Sequence, residues 1–181
     1  MSKLLEKKIS SQTVYKGNFL DVKKDNVVLP NGKNSTREWI NHPGAVVIVP
    51  ILPNGKIALI RQFRYAMGSE FIELPAGKID KGETPDECAI RELEEEIGFK
   101  TKNLNFIAMI HPAIGFANEN MSLYLATDLV QTNINRDSDE FLELMPTSLE
   151  HALDLVWSNK ITDVKTIIGI LWYQKIYQES K

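Results

Sequence analysis

Residues 77–99 read GKIDKGETPDECAIRELEEEIGF, and the fold is decided there. Thr84-Pro85-Asp86-Glu87 opens a helix: Thr stands at the N-cap, Pro at the first helical position, and Glu87 where it completes a capping box. The helix is expected to run to Glu96 or Ile97 and to stop at Gly98. Within it Ala89, Leu93 and Ile97 recur at i, i+4 and i+8, an apolar stripe that anchors the helix in a core. Glu92, Glu95 and Glu96 stand at i, i+3 and i+4 and share another face, about 5–6 Å apart. Two ionised carboxylates at that separation repel by ~3 kcal/mol at an effective dielectric of about 20, so something must offset the charge. The stretch holds eight Asp and Glu against three Lys and Arg, a net of −5, and the rest of the chain carries +2. Hard oxygen donors held in this way suit Mg²⁺ or Mn²⁺, which bind through a few carboxylates plus waters and phosphate oxygens. A solvated acidic helix face is the other reading of a run of Glu taken alone.

Upstream of this stretch the chain reads as strands. Residues 71–74 form a short strand, and residues 45–52 are a continuous apolar run of the kind buried on both faces. Pro53-Asn54-Gly55 turns the chain, and residues 56–63 alternate enough to be the antiparallel mate of that run. His42-Pro43-Gly44 breaks the chain ahead of it; before the break, residues 13–15, 20–29 and 35–40 are strands, the last two joined at Pro30-Asn31-Gly32. Downstream, residues 104–110 and 121–126 are strands around a loop at 111–120, and residues 141–145 are the last strand. Thr147-Ser148-Leu149-Glu150 reads as a second capping box opening a helix to about Ser158, and Asp163 can cap a terminal helix rich in Ile, Leu and Trp. Strands on both sides of a central helix predict an α+β fold with a mixed or antiparallel sheet.

Composition narrows the function classes. With 181 residues, 43% hydrophobic and 25% charged, the chain is an ordinary globular protein of one domain with room for a short additional element. A formal charge of −3 offers no basic field for a nucleic-acid backbone. One cysteine, Cys88, forms no intramolecular disulfide, and with three His it is too little for a Cys/His zinc site, which fits a reducing cytoplasm. The first eleven residues lack a signal-peptide apolar core, and the run at 45–52, broken by Pro50, is far short of a membrane span, so neither secretion nor insertion is expected.

Gly77, five residues, Glu83, seven residues, Arg91-Glu92-Leu93, one residue, Glu95-Glu96, one residue and Gly98-Phe99 resembles the full signature of the Nudix hydrolases. Chance reproduces such a pattern in a chain of this length with a probability on the order of 10⁻⁷. The resemblance implies the Nudix fold, a mixed β-sheet sandwiched between α-helices, and metal-dependent hydrolysis of a nucleoside diphosphate linked to another group. By it Glu92 and Glu96 are direct ligands of Mg²⁺ or Mn²⁺, Glu95 a direct or water-mediated one, and the Ala76 carbonyl a further ligand. Glu83 and Arg91 pair to orient the site, Glu94 faces solvent, and Gly77 and Gly98 serve a tight turn and a helix end. Cys88 packs as an inert residue.

Arg37-Glu38, His42-Pro43-Gly44-Ala45, Arg61-Gln62-Phe63-Arg64-Tyr65 and Glu73-Leu74-Pro75-Ala76-Gly77, in this order, resemble the ADP-ribose pyrophosphatase branch. That branch implies ADP-ribose, or another nucleotide sugar such as GDP-mannose, as the small-molecule substrate; a sensor that binds ADP-ribose without turnover is the rival outside enzymology. Arg64 would hold the diphosphate, a strand-end surface residue being the alternative; Phe19 is a candidate adenine-stacking ring or a core residue; Arg37, Glu38 and Glu119 are further substrate contacts. The loop at 111–119 departs from the branch, with Ile114 where a proline is expected and Pro112 two positions early. The general base is taken by relatives from a downstream acidic loop, here Asp137, Asp139 and Glu140. The resemblance divides the chain into a β arm, residues 1–42, on the dimerisation and adenosine side, and a Nudix hydrolase domain, residues 43–181. It also implies a homodimer in which the arm's apolar set, Phe19 included, reaches across to the partner's site.

Overall fold

A computed structural model describes residues 3–133 and 141–179. Two units divide it, Met1–Pro43 with Ala113–Glu119, and Gly44–Pro112 with Asn120–Lys181. The first is an antiparallel meander of β1 (Lys7–Lys16), β2 (Asp21–Val28) and β3 (Asn34–Ile40). Pro30-Asn31-Gly32 makes the β2–β3 turn, Gly32 taking the left-handed conformation at φ 83° that glycine accepts without strain. β1 is longer than sequence patterning predicts, starting at Lys7 rather than Thr13, and it is exposed along its length. The segment at 113–119 is tied to the end of β3: Ile40 N–H donates to Phe116 O, and Asn118 N–H donates to Ile40 O.

The second unit runs β4 (Ala45–Pro50), β5 (Ile57–Arg64), β6 (Ser69–Glu73), β7 (Ala76–Lys78), α1 (Pro85–Ile97), β8 (Phe99–Ile110), β9 (Met121–Gln131), β10 (Leu142–Thr147), α2 (Leu149–Trp157) and α3 (Val164–Glu179). Its strands make two sheets, in the orders β7-β4-β9-β8 and β10-β5-β6. β4 and β9 are parallel and the other pairs antiparallel, so the fold is α+β with a mixed sheet. Alternation along β4 divides the core: Val46 and Ile48 pack in one cluster with Cys88, Ala89, Leu93 and Ile97 of α1, while Val47 and Val49 join Ala152, Val156, Ile170 and Tyr173 of α2 and α3. Helices thus close both faces of β4, which explains its unbroken apolar run. Gly169 lets α3 sit close, since a Cβ there would lie 2.4 Å from Leu74 Cδ1. No helix of the described residues is long and apolar enough to cross a membrane.

Two expectations are corrected. β5 packs against β4 in the core but is not its antiparallel mate; the isolated bridge Ile51–Ile57, just past the end of β4, is as far as their pairing goes. Both edges of β4 are taken, by β7 and β9, so β5 leaves the turn at 53–55 to pair with β6 and β10. The second helix is capped by Ser148, whose hydroxyl accepts from His151 N–H, and not by Thr147, which ends β10 and donates to Met145 O. The other helix ends follow the sequence: Thr84 and Glu87 form the capping box, and Gly98 closes α1 in the left-handed region at φ 72°.

Candidate active site

The cluster of Glu on α1 is organised by one guanidinium. Arg91 Nε and Nη2 donate to the two oxygens of Glu83, at 2.9 and 3.0 Å. Its Nη1 donates to Glu92 Oε1 and Glu95 Oε2, each at 2.8 Å, and Nη2 reaches Lys78 O at 3.2 Å. One cation facing three carboxylates supplies the offset that the spacing of the glutamates requires. The bidentate Arg91 fork holds the Glu83 carboxyl down at about 2, and the same bond raises the Arg91 guanidinium further above its usual range.

Glu92 and Glu96 are 8% and 4% exposed, so the carboxylate face of α1 is not a solvated one. It is covered in part by β7, the strand that carries Ala76 and Gly77. Ala76 N–H donates to Glu96 Oε2 at 3.3 Å, and a Cβ at Gly77 would fall 1.8 Å from Glu92 Cδ. Gly77 therefore lies in a strand rather than at a turn, and it is small because the Glu92 carboxyl occupies the space of its missing side chain. Glu94 is not simply solvated but pairs with Lys100 at 3.1 Å. Cys88 is buried, with its thiol pushed up to about 12 by desolvation.

The donor chemistry suits a hard divalent cation: three carboxylates and a nearby backbone carbonyl, all oxygen. Among the described residues no three Asp, Glu, His or Cys side chains converge to hold an ion as they stand. The reason is visible in the bonds, because Glu92 and Glu95 are turned to Arg91 and Glu96 to the Ala76 amide. Such an ion would have to draw carboxylates away from these partners, or take only one or two of them with waters and substrate oxygens.

Arg64, at the end of β5, has its fork engaged. Nε and Nη2 donate to the two oxygens of Glu73 at 2.7 and 2.6 Å, so Nη1 is the nitrogen that this fork does not use. Burial would raise the carboxyl of Glu73, which is 2% exposed, but Arg64 and Lys165 override that and hold it down. Sequence reasoning gave Glu73 no role and missed Lys165 altogether; a lone lysine 92 residues away carries no local signal.

In the first unit, Arg37 is paired with Glu6 and Glu38 with Lys24, the latter at 3.1 Å. Phe19 is 59% exposed and meets His42 edge-on with ring centroids 6.3 Å apart, which removes the reading of it as a core residue. Glu119 Oε1 lies 3.8 Å from His42 Nε2. Asp137, Asp139 and Glu140 lie outside the described residues.

Comparison with known proteins adds a second line of support. Residues 41–164 match the NUDIX domain, and residues 6–40 match the nucleoside diphosphate sugar hydrolase N-terminal domain. An ADP-ribose pyrophosphatase of Bacillus subtilis (strain 168) is 42% identical over 176 residues, covering 96% of this chain and 95% of that protein. A methanol dehydrogenase activator of Bacillus methanolicus is 37% identical, with 96% of each chain covered. A crystal structure of an ADP compounds hydrolase superposes with a TM-score of 0.89 at 25% identity, over 99% of this chain and 98% of that one.

Proposed function

The chain belongs to the Nudix family of hydrolases, and from that premise we propose that it splits ADP-ribose into AMP and ribose 5-phosphate with Mg²⁺ or Mn²⁺ as cofactor. The observation that carries the reading is the Arg91-centred carboxylate cluster standing against Ala76 and Gly77. Glu92, Glu96, Glu95 and the Ala76 carbonyl would hold the metal, with Glu83 and Arg91 orienting them. A bound divalent ion would neutralise diphosphate charge and acidify an attacking water. Arg64 would turn Nη1 to the diphosphate while Glu73 fixes its other edge. Phe19, Arg37, Glu38 and Glu119 are the proposed contacts for the rest of the substrate.

A panel of ADP-ribose, GDP-mannose, NADH and diadenosine polyphosphates with Mg²⁺ tests the substrate. ADP-ribose is expected to have the highest specificity constant; a preference for GDP-mannose of more than ~10-fold, about 1.4 kcal/mol, makes that nucleotide sugar the substrate instead. Tight binding of ADP-ribose with no turnover would make the protein a sensor. The intact set of Arg91, Glu92, Glu95 and Glu96 favours catalysis.

The general base is proposed among Asp139, Glu140 and Asp137, since a carboxylate within reach of the attacking water can take its proton. Neutralising all three is expected to lower the maximal rate at least ~10-fold, against the usual 10²–10⁴ for a base, and a smaller loss excludes them. We also propose a cytoplasmic homodimer whose arms complete the partner's site. Its support is the exposed apolar set of the arm, including Val14, Tyr15 and Phe19. Light scattering is expected to give twice the 20.5 kDa chain mass; a fully active monomer at micromolar concentration rejects the dimer.

A further inference from the structure

The first turn of α3 carries a buried charged side chain that the signature of the family does not include. Lys165 is 8% exposed, and its ammonium donates to Glu73 Oε2 and, at 2.9 Å, to Asp163 Oδ2. Asp163 is fixed in turn: its Oδ2 accepts from Thr166 N–H at 3.1 Å and from the Thr166 hydroxyl at 2.6 Å. That hydroxyl accepts from Leu74 N–H at 2.8 Å, so the start of α3 is tied twice to the end of β6, through Glu73 and through Leu74. Two cations, Arg64 and Lys165, thus face two anions, Glu73 and Asp163, with one Glu73 oxygen shared between the cations.

We propose that Lys165 is a positioning residue for the diphosphate, setting Arg64 through Glu73. A carboxylate as buried as Glu73 holds tightly to whatever cation it has. Were Arg64 its only partner, Glu73 would compete with any phosphate for that guanidinium. Lys165 supplies a second cation from inside the protein. Arg64 is then oriented by its Nε and Nη2 bonds and can still share its charge with an anion on the Nη1 side. Because Lys165 acts through Arg64 and touches neither the reacting atoms nor the carboxylates of α1 in any bond described above, its loss should weaken binding more than turnover.

This proposal rests on the reading of Arg64 as the diphosphate ligand, and the test separates the two. KM and kcat for ADP-ribose are measured with Mg²⁺, and the Kd of ADP-ribose by calorimetry in EDTA, for the parent, Arg64→Met, Lys165→Met and Glu73→Gln/Lys165→Met. Lys165→Met is expected to raise KM and Kd at least ~10-fold with kcat within ~3-fold. The double variant, in which a neutral Gln no longer competes for Arg64, is expected to return both to within ~3-fold of the parent. A purely structural Lys165 would lower the melting temperature with KM and Kd unmoved, or make the double variant worse than the single one; either overturns the proposal. Unchanged binding in Arg64→Met overturns the Arg64 reading and this proposal with it. A moved Arg64→Met beside an unmoved Lys165→Met overturns this proposal alone. If Lys165→Met does not fold, the double variant, which buries no unpaired Glu73 charge, decides: KM within ~3-fold of the parent is required, and a rise of ~10-fold or more overturns it.

Discussion

Glu96→Gln is expected to lower the maximal hydrolysis rate by ~10²–10³ at saturating metal and substrate, a loss of about 2.7–4 kcal/mol of transition-state stabilisation. The substitution keeps shape and removes only charge. Glu96 is 4% exposed, and its Oε2 accepts from Ala76 N–H at 3.3 Å, a bond that the amide oxygen of Gln can still accept. Taking one negative charge out of a group that includes Glu92 and Glu95 also relaxes repulsion rather than adding it. The melting temperature is therefore expected to stay at or above the parent value, which separates a lost ligand from a lost fold. Turnover near the parent rate at saturating Mg²⁺ would remove Glu96 from the metal site.

What the sequence makes legible here is what short stretches determine. The capping box at Thr84, the left-handed stop at Gly98 and the stripe of Ala89, Leu93 and Ile97 depend on neighbours within about four turns of one helix, and the structure has each of them. The carboxylate face is legible as residues but not as surroundings, since the burial of Glu92 and Glu96 comes in part from β7, a separate strand earlier in the chain. The expected hairpin of β4 and β5 goes wrong for a similar reason. The turn at 53–55 is a local signal, whereas the competition of β7 and β9 for the edges of β4 is not. The cap of α2 is off by one residue because Thr147 and Ser148 are chemically interchangeable caps, and only the extent of β10 selects between them. The Arg64–Glu73–Lys165 arrangement joins β5, β6 and α3, and periodicity has nothing to say about it.

Gly77→Ala is expected to cost activity out of proportion to stability. Gly77 sits opposite Val46 in the β7–β4 pair, with ordinary backbone angles, so alanine meets no conformational penalty from φ. The obstacle is the Glu92 side chain: a Cβ at 77 would lie 1.8 Å from Cδ, 1.8 Å from Oε1 and 2.4 Å from Cγ. Something must move, and the candidates are unequal. β4 is fully buried between two helical layers, and α1 is anchored by Ala89 and Leu93 at 0% exposure, so neither backbone gives easily. The Glu92 carboxyl is the far end of a flexible chain and will swing away, breaking its 2.8 Å bond to Arg91 Nη1. Relief of that overlap should cost about 1–3 kcal/mol of stability. A carboxylate displaced by 1 Å or more at the proposed metal site should lower kcat/KM by ~10². Steady-state kinetics and thermal unfolding on the same preparation check both halves. A variant that melts several degrees lower yet hydrolyses substrate at the parent rate would mean that the position of Glu92 does not matter to the reaction.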